Sequence, residues 1–235
     1  MTDNIVSKAA QIRSADVTEE ELAKINRFAL TPLTAEEVFT FKVMMADNEQ
    51  DDRNFEPFTA SALEDLKALY IGKTMLFDHS FAAESQTARV YDTELVTTDA
   101  KTALGEPHTE LIGKVYMVKT ASNADLISEI KAGIKKEVST SCSVSKMTCS
   151  VCGKDNAKTF CQHLPGRKYN GETCHMRIER CKEAYELSFV AVPAQPRAGV
   201  AKSKSLLTAK SEAAEKELRA RIALAEIQLR GVNND

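Results

Sequence analysis

The stretch Lys135–Val144, KKEVSTSCSV, decides how this chain is read. It crowds Ser139, Thr140, Ser141, Cys142 and Ser143 between Val138 and Val144, directly after a segment with helical periodicity. Polar side chains packed into a β-forming run mark a sheet edge or a site. Serine is a weak nucleophile at its free pKa. The stretch therefore carries chemistry only if a base, and an acid that orients the base, come from elsewhere in the chain.

Working outward, Ser122 and Asp125 have N-cap spacing, and Leu126, Ile127, Ile130 and Ile134 fall on one helical face. A strand over Glu137–Val144 follows. Beyond a cysteine-rich segment come two apolar strand candidates, Met176–Cys181 and Glu186–Pro193. Towards the N-terminus, strands are expected at Val38–Val43, Thr74–Phe77, Thr87–Val96 and Leu111–Lys119, with Met44–Phe58 and Thr97–Glu110 as loops. Ser61 and Glu64 cap a helix running to Tyr70, and Thr18 and Glu21 cap a shorter one. The sum is an α+β fold with a mainly antiparallel β core and attached helices. Residues 1–33 read as an acidic N-terminal leader and 34–200 as the main domain, with a Cys/His-rich insertion at 145–182. Residues 201–235 form an amphipathic helical tail whose stripe is Leu218, Ile222, Ala225 and Leu229, a docking or self-associating face that allows a homodimer.

Composition excludes some classes. No apolar run approaches the roughly 20 residues that cross a bilayer, so no membrane partner is expected. The first residues lack the apolar core of a signal peptide, and cytoplasmic synthesis is expected. Residues 1–60 carry six basic against twelve acidic residues, and 131–182 carry eleven against four. This asymmetry reads as solvated faces. Lys158, Arg167 and Lys168 near Phe160 and Tyr169 likewise read as a solvated surface, and nucleic acid is not an expected partner. No HExxH and no GxSxG occur, which argues against a zinc-dependent hydrolase and an α/β-hydrolase.

All six cysteines lie between Cys142 and Cys181, and in a cytosolic chain such clustering points to metal before disulfides. Cys149, Cys152, Cys161 and His163 offer four ligands at spacings that close a tetrahedron around Zn²⁺, and a site filled by protein ligands is structural. Cys174, His175 and Cys181 are spare and stand as substitutes for any of the four. Of the four histidines, His108 lies in a Gly/Pro loop, and His163 and His175 lie among the cysteines. His79 remains as the candidate general base, at the end of the apolar strand TMLFDH. The acid partner is sought at Glu186, at the mouth of the apolar run LSFVAVPA.

Three segments also carry a resemblance: GKTMLFDHS followed by TARV, then ADLISEIKAGIKKEVSTSCSV, then YELSFVAVPAQPRA. Together they resemble the prohead (capsid maturation) proteases of tailed bacteriophages, whose fold is similar to the herpesvirus assemblin protease. The likeness spans about Val38–Ala198, and its third segment is the most specific. The resemblance implies an assemblin-like β-barrel with surrounding helices and a catalytic set of His79, Ser139 and Glu186. It implies a serine endopeptidase that needs no cofactor for catalysis. Its substrates would be the scaffolding protein, the major capsid protein and itself, inside an assembling prohead in the host cytoplasm. Thr140-Ser141-Cys142 stands where the family has a glycine-containing segment, so Ser141 and Cys142 stay open as alternative nucleophiles. Ser139 and Glu186 are separated by 46 residues, a longer link than the family's. The competing reading is a catalytically inactive zinc-knuckle scaffold or interaction protein of the phage head.

Overall fold

The computed structural model describes residues 17–50 and 52–200. The β-branched and aromatic run VFTFKV starts β1, which continues through Asp47 (Val38–Asp47). Met44–Asp47, expected as loop, stays in the sheet because Met44 and Ala46 pair with Ile112 and Leu111 around a bulge at Met45. Strand β2 is Thr74–Phe77, as its apolar run predicts. Strands β3 (Ala88–Lys101) and β4 (Pro107–Val118) form one long hairpin, so much of the linker expected between them is strand. Thr97 pairs with Thr109 there, and the reversal is confined to Thr102–Glu106. β5 (Val138–Cys149) runs five residues past its expected end. β8 (Met176–Phe189) is a single strand where two were expected, its polar middle carried along β5 by bulges. It stops at Phe189, short of the expected Pro193. Between them lie the two-residue strands β6 (Lys168–Tyr169) and β7 (Glu172–Thr173), and β9 (Gly199–Val200) ends the described chain.

Among the described residues, three α-helices accompany the strands. α1 (Glu19–Asn26) carries the expected reciprocal Thr18–Glu21 capping box. α2 (Ala60–Leu69) is capped by Thr59, not by Ser61. α3 (Ala124–Ala132) is entered through a short 3₁₀ turn closed by Thr120 and Asn123 in place of Ser122, and it stops at Gly133. Ile134, expected on its apolar face, lies beyond the helix and is exposed. The tail helix and residues 1–16 of the leader lie outside the described residues.

The main sheet has the order β5-β8-β2-β3-β4-β1-β9. Every pairing is antiparallel except β2 with β8. The order is open: no ladder closes the expected barrel among the described residues. Among the described residues the two ends meet at the bridge Glu137–Gly199, flanked by Val138 N–H to Ala198 O (3.3 Å) and Val200 N–H to Lys136 O (2.7 Å). The curl that brings them near is visible inside, where Phe41 of β1 stacks on Phe189 of β8 at 6.3 Å, and Phe189 stacks on Phe77 of β2 at 5.7 Å. Leu63, Leu66 and Tyr70 from α2 and Ile127 and Ile130 from α3 pack onto this interior. Each large aliphatic side chain buried there contributes about 1.5–3 kcal/mol. The consequence for function is positional. β8 sits between β5 and β2, so residues distant in sequence are held on adjacent strands.

Candidate functional site

β2 ends by delivering His79 over β8. Asp78 and His79 both take left-handed backbone conformations, with φ of 50° and 55°. The turn is held by Asp78 N–H to Phe189 O (2.9 Å), Ser80 N–H to Phe77 O (2.9 Å) and His79 N–H to the Ser188 hydroxyl (3.0 Å). Two consecutive non-glycine residues in this region are strained, and such strain persists only where surrounding contacts enforce it. Here it aims the imidazole: His79 Nδ1 lies 2.7 Å from Glu186 Oε1.

Glu186 is fully buried, and no lysine or arginine pairs with it among the described residues. Its partners are His79 on one oxygen and the Ser188 hydroxyl, which donates to Oε2 at 2.5 Å, on the other. A buried carboxylate held this way fixes the proton of His79 on Nδ1 and leaves Nε2 as an acceptor. Nε2 has no partner among the described residues, and the His79 side chain is 40% exposed. Buried acid, oriented imidazole and open nitrogen are the parts a general base requires.

The serines lie on the neighbouring strand. Ser139 is directly opposite Ser188, and Ser141 is opposite Glu186. Residues two apart on a strand share a face, so Ser139, Ser141, Glu186 and Ser188 stand on one face of the β5–β8 ladder. Val138, Leu187 and Phe189 turn the other way, into the core. Both Ser139 and Ser141 are half-buried, and neither hydroxyl makes a hydrogen bond among the described residues. The structure thus joins His79 to Glu186 directly and sets Ser139 one strand away, without a hydrogen bond to His79. Cys142 is engaged elsewhere. Its sulfur lies 3.9 Å from that of Cys181, and this contact lowers the Cys142 pKa and raises that of Cys181.

The end of β5 leads into the Cys/His segment. Cys149, Cys152, Cys161 and His163 bring their ligand atoms within 4.8 Å of one another, and this group could hold a metal ion. Cys149 Sγ and His163 Nδ1 are 3.7 Å apart. Tetrahedral ligation by sulfur and nitrogen at 2.0–2.3 Å needs ligands about 3.5 Å from each other, so the donor set fits. Asn156, itself buried, donates to Cys161 Sγ at 3.4 Å and accepts the Cys161 N–H at 2.9 Å. That side-chain hydrogen bond is the main reason the Cys161 thiol is lowered to about 6. Tyr169 stacks edge-on to His163 at 4.6 Å and accepts the Leu164 N–H, fixing the ring. Of the spare residues, Cys174 is buried 3.9 Å from Cys149 and burial pushes it up to about 11. His175 Nδ1 is bound to the Thr173 carbonyl at 3.0 Å, and Cys181 pairs with Cys142.

Two contributors escaped sequence reading. Ser188 links the Glu186 carboxylate to the His79 backbone, and its only signal was its place two residues after Glu186. Tyr70, at the end of α2, donates to the carbonyls of both Ser141 (3.0 Å) and Glu186 (3.2 Å) and ties β5 to β8 at the site. Comparison with family models, with curated proteins and with solved structures found no match.

Proposed function

We propose that the chain is a serine endopeptidase of the phage prohead type, with Ser139 as nucleophile, His79 as base and Glu186 as the acid that orients it. The observation that carries this reading is the fully buried Glu186, without a cationic side-chain partner among the described residues and hydrogen-bonded to an imidazole whose other nitrogen has no partner among them. A structural carboxylate has little reason to be buried without a lysine or arginine. In this reading the Ser139 Oγ attacks the scissile carbonyl while Nε2 of His79 takes its proton. Glu186 stabilises the imidazolium, which then protonates the leaving amine, and water hydrolyses the acyl-enzyme. The substrates are the scaffolding and major capsid proteins and the protease itself, inside the assembling head in the host cytoplasm. The assemblin-like fold belongs to the same proposal and is supported by the mainly antiparallel sheet and by the bridge between its ends, with no closing ladder among the described residues. Zinc is the ion assigned to Cys149, Cys152, Cys161 and His163, in a structural role.

One observation favours a second reading, an inactive zinc-knuckle scaffold or interaction protein of the head: no hydrogen bond joins Ser139 to His79. Catalytic hydrogen bonds are often unformed before substrate binds, so the protease reading stands first. A fluorophosphonate probe separates the two. The protease reading expects one adduct, on Ser139, absent in Ser139→Ala and in His79→Ala and retained in Ser141→Ala. An adduct on Ser141 moves the nucleophile by two residues. No adduct, with head-protein processing intact in Ser139→Ala, removes the enzyme from the proposal.

A further inference from the structure

Strand β5 has two edges. One pairs with β8 along its length. At its start the other meets the β9 end through the Glu137–Gly199 bridge and Val138 N–H to Ala198 O (3.3 Å), and from Met147 onward it is covered by the Cys/His segment through Asn156 N–H to Met147 O (2.6 Å) and Cys149 N–H to Lys154 O (2.9 Å). Between these covers, alongside Val138–Val144, lies a cavity of about 220 Å³. Ser139 and Ser141 are among its lining residues. Met45, Phe58 and Val144 supply apolar wall, and Asp52, Asn54 and Glu56 supply polar wall, with no lysine or arginine anywhere in the lining.

The acids are the unusual part. Asp52 is 7% exposed. Its Oδ1 accepts the N–H groups of Asn54 (2.8 Å) and Glu56 (3.1 Å), while Oδ2 has no partner among the described residues. The Glu56 side chain is half-buried and makes no hydrogen bond or ion pair among them. Burial, and then the neighbouring Asp52 charge, raise the Glu56 carboxyl above its ordinary range. Two unpaired carboxyl groups in one small space lack a cation. A lysine or arginine side chain supplies one at the end of an apolar stem that matches Met45 and Phe58. An extended peptide added to the free edge of β5 would point alternate side chains toward such a cavity.

We propose that the cavity is a specificity site for a lysine or arginine of an extended peptide substrate, within about three residues of the bond that Ser139 attacks. This rests on the protease reading for its role, but the binding of a basic side chain is testable without catalysis. Full-length Ser139→Ala protein is titrated with acetyl-Ala-Arg-Ala-amide and its norleucine counterpart, and amide shifts are followed at Asn54, Glu56 and Thr140. The expected result is saturable shifts with the arginine peptide and at least tenfold weaker binding of the norleucine peptide. The same loss for the arginine peptide is expected in Glu56→Gln, which keeps the shape of the side chain and serves where Asp52→Asn does not fold. Equal binding of the two peptides, or no shifts at these residues, overturns the site. In parallel, the active protein is given a proteome-derived peptide library. Cleavage with lysine or arginine enriched at one fixed position supports the proposal, and cleavage without that preference overturns it. Arginine-selective shifts with no cleavage of any peptide would instead overturn the protease reading, and with it the specificity role.

Discussion

The Cys/His segment and the His79–Glu186 pair reach convergent geometry by opposite routes. The four metal-binding candidates lie within fifteen residues of sequence, between Cys149 and His163, and local turns bring them together. His79 and Glu186 are 107 residues apart, and only the parallel placement of β2 beside β8 makes them neighbours. If the proposed ion binds, a local site would depend on it for order, because the short segment has little core of its own; its buried cluster is Cys149, Cys174 and Met176. A site assembled by the sheet depends on the main core and tolerates loss of a side chain without loss of fold. On the proposed function, removing a metal ligand should unfold one region, whereas removing His79 or Glu186 should silence the other and leave its structure intact.

Metal removal is the largest expected effect. Structural zinc contributes on the order of 10–16 kcal/mol to small metal-folded segments. Chelation, or Cys149→Ser, is expected to abolish amide protection across residues 150–175 while the β3–β4 hairpin stays protected, as read by hydrogen exchange. Retained protection in the segment after proven metal loss would break the comparison at its base.

Glu186→Gln comes next. Without the carboxylate the imidazole loses its enforced tautomer and the stabilisation of its charged form, and turnover is expected to fall about 10³–10⁴-fold with the cooperative unfolding transition preserved. If the variant instead unfolds and any residual folded fraction retains full turnover, Glu186 is a structural residue and the two regions are alike.

How much of this contrast was legible in the sequence follows from the same distinction. Cys-x2-Cys and Cys-x-His are local patterns, so the metal group could be read from spacing, and its four members do converge. The antiparallel core was also legible, because TARVYDTELV and LIGKVYMVK both read as strands and fall almost wholly within β3 and β4. Strand length was not. Thr97–Lys101 and Lys182–Tyr185 are polar enough to read as loop, and they remain strand because a long partner continues beside them. The His79–Glu186 contact required the strand order, which no local pattern encodes. The left-handed turn at Asp78-His79 carries no glycine to announce it, and Ser188 gains its role only once its face and its β2 neighbour are known.

Ser188→Ala should give a smaller effect that separates positioning from chemistry. It leaves one Glu186 oxygen unsatisfied in the interior, at a cost of about 1–3 kcal/mol, and frees the His79 backbone N–H. Turnover is expected to drop about tenfold with KM little changed, and Ser188→Thr, which keeps the hydroxyl, should recover most of it. An equal loss in both variants would show that packing at this position matters and that the hydroxyl does not.

The smallest effect tests how each region handles backbone strain. The Cys/His segment has glycine at three of its four positive-φ positions, Gly153 (70°), Gly171 (89°) and Gly166 (79°), where a Cβ would also meet the Phe55 ring at 2.6 Å; the fourth is Asn170 (52°), a residue type that visits this conformation at little cost. The His79 turn uses Asp78 and His79 instead, at a cost of roughly 1–2 kcal/mol per residue. Asp78→Gly should therefore stabilise the folded state by about 1 kcal/mol, less whatever glycine adds to the freedom of the unfolded chain, and raise Tm by about 2–4 °C. The same relief loosens the turn that aims the imidazole, so turnover should fall although stability rises. Gly153→Ala should do the reverse in its region, lowering stability without any gain elsewhere. Opposite signs at the two turns would show that the strain at Asp78 and His79 is retained because it aims the imidazole. A destabilised Asp78→Gly variant would mean that the Asp78 side chain, and not the turn's conformation, is what the site requires.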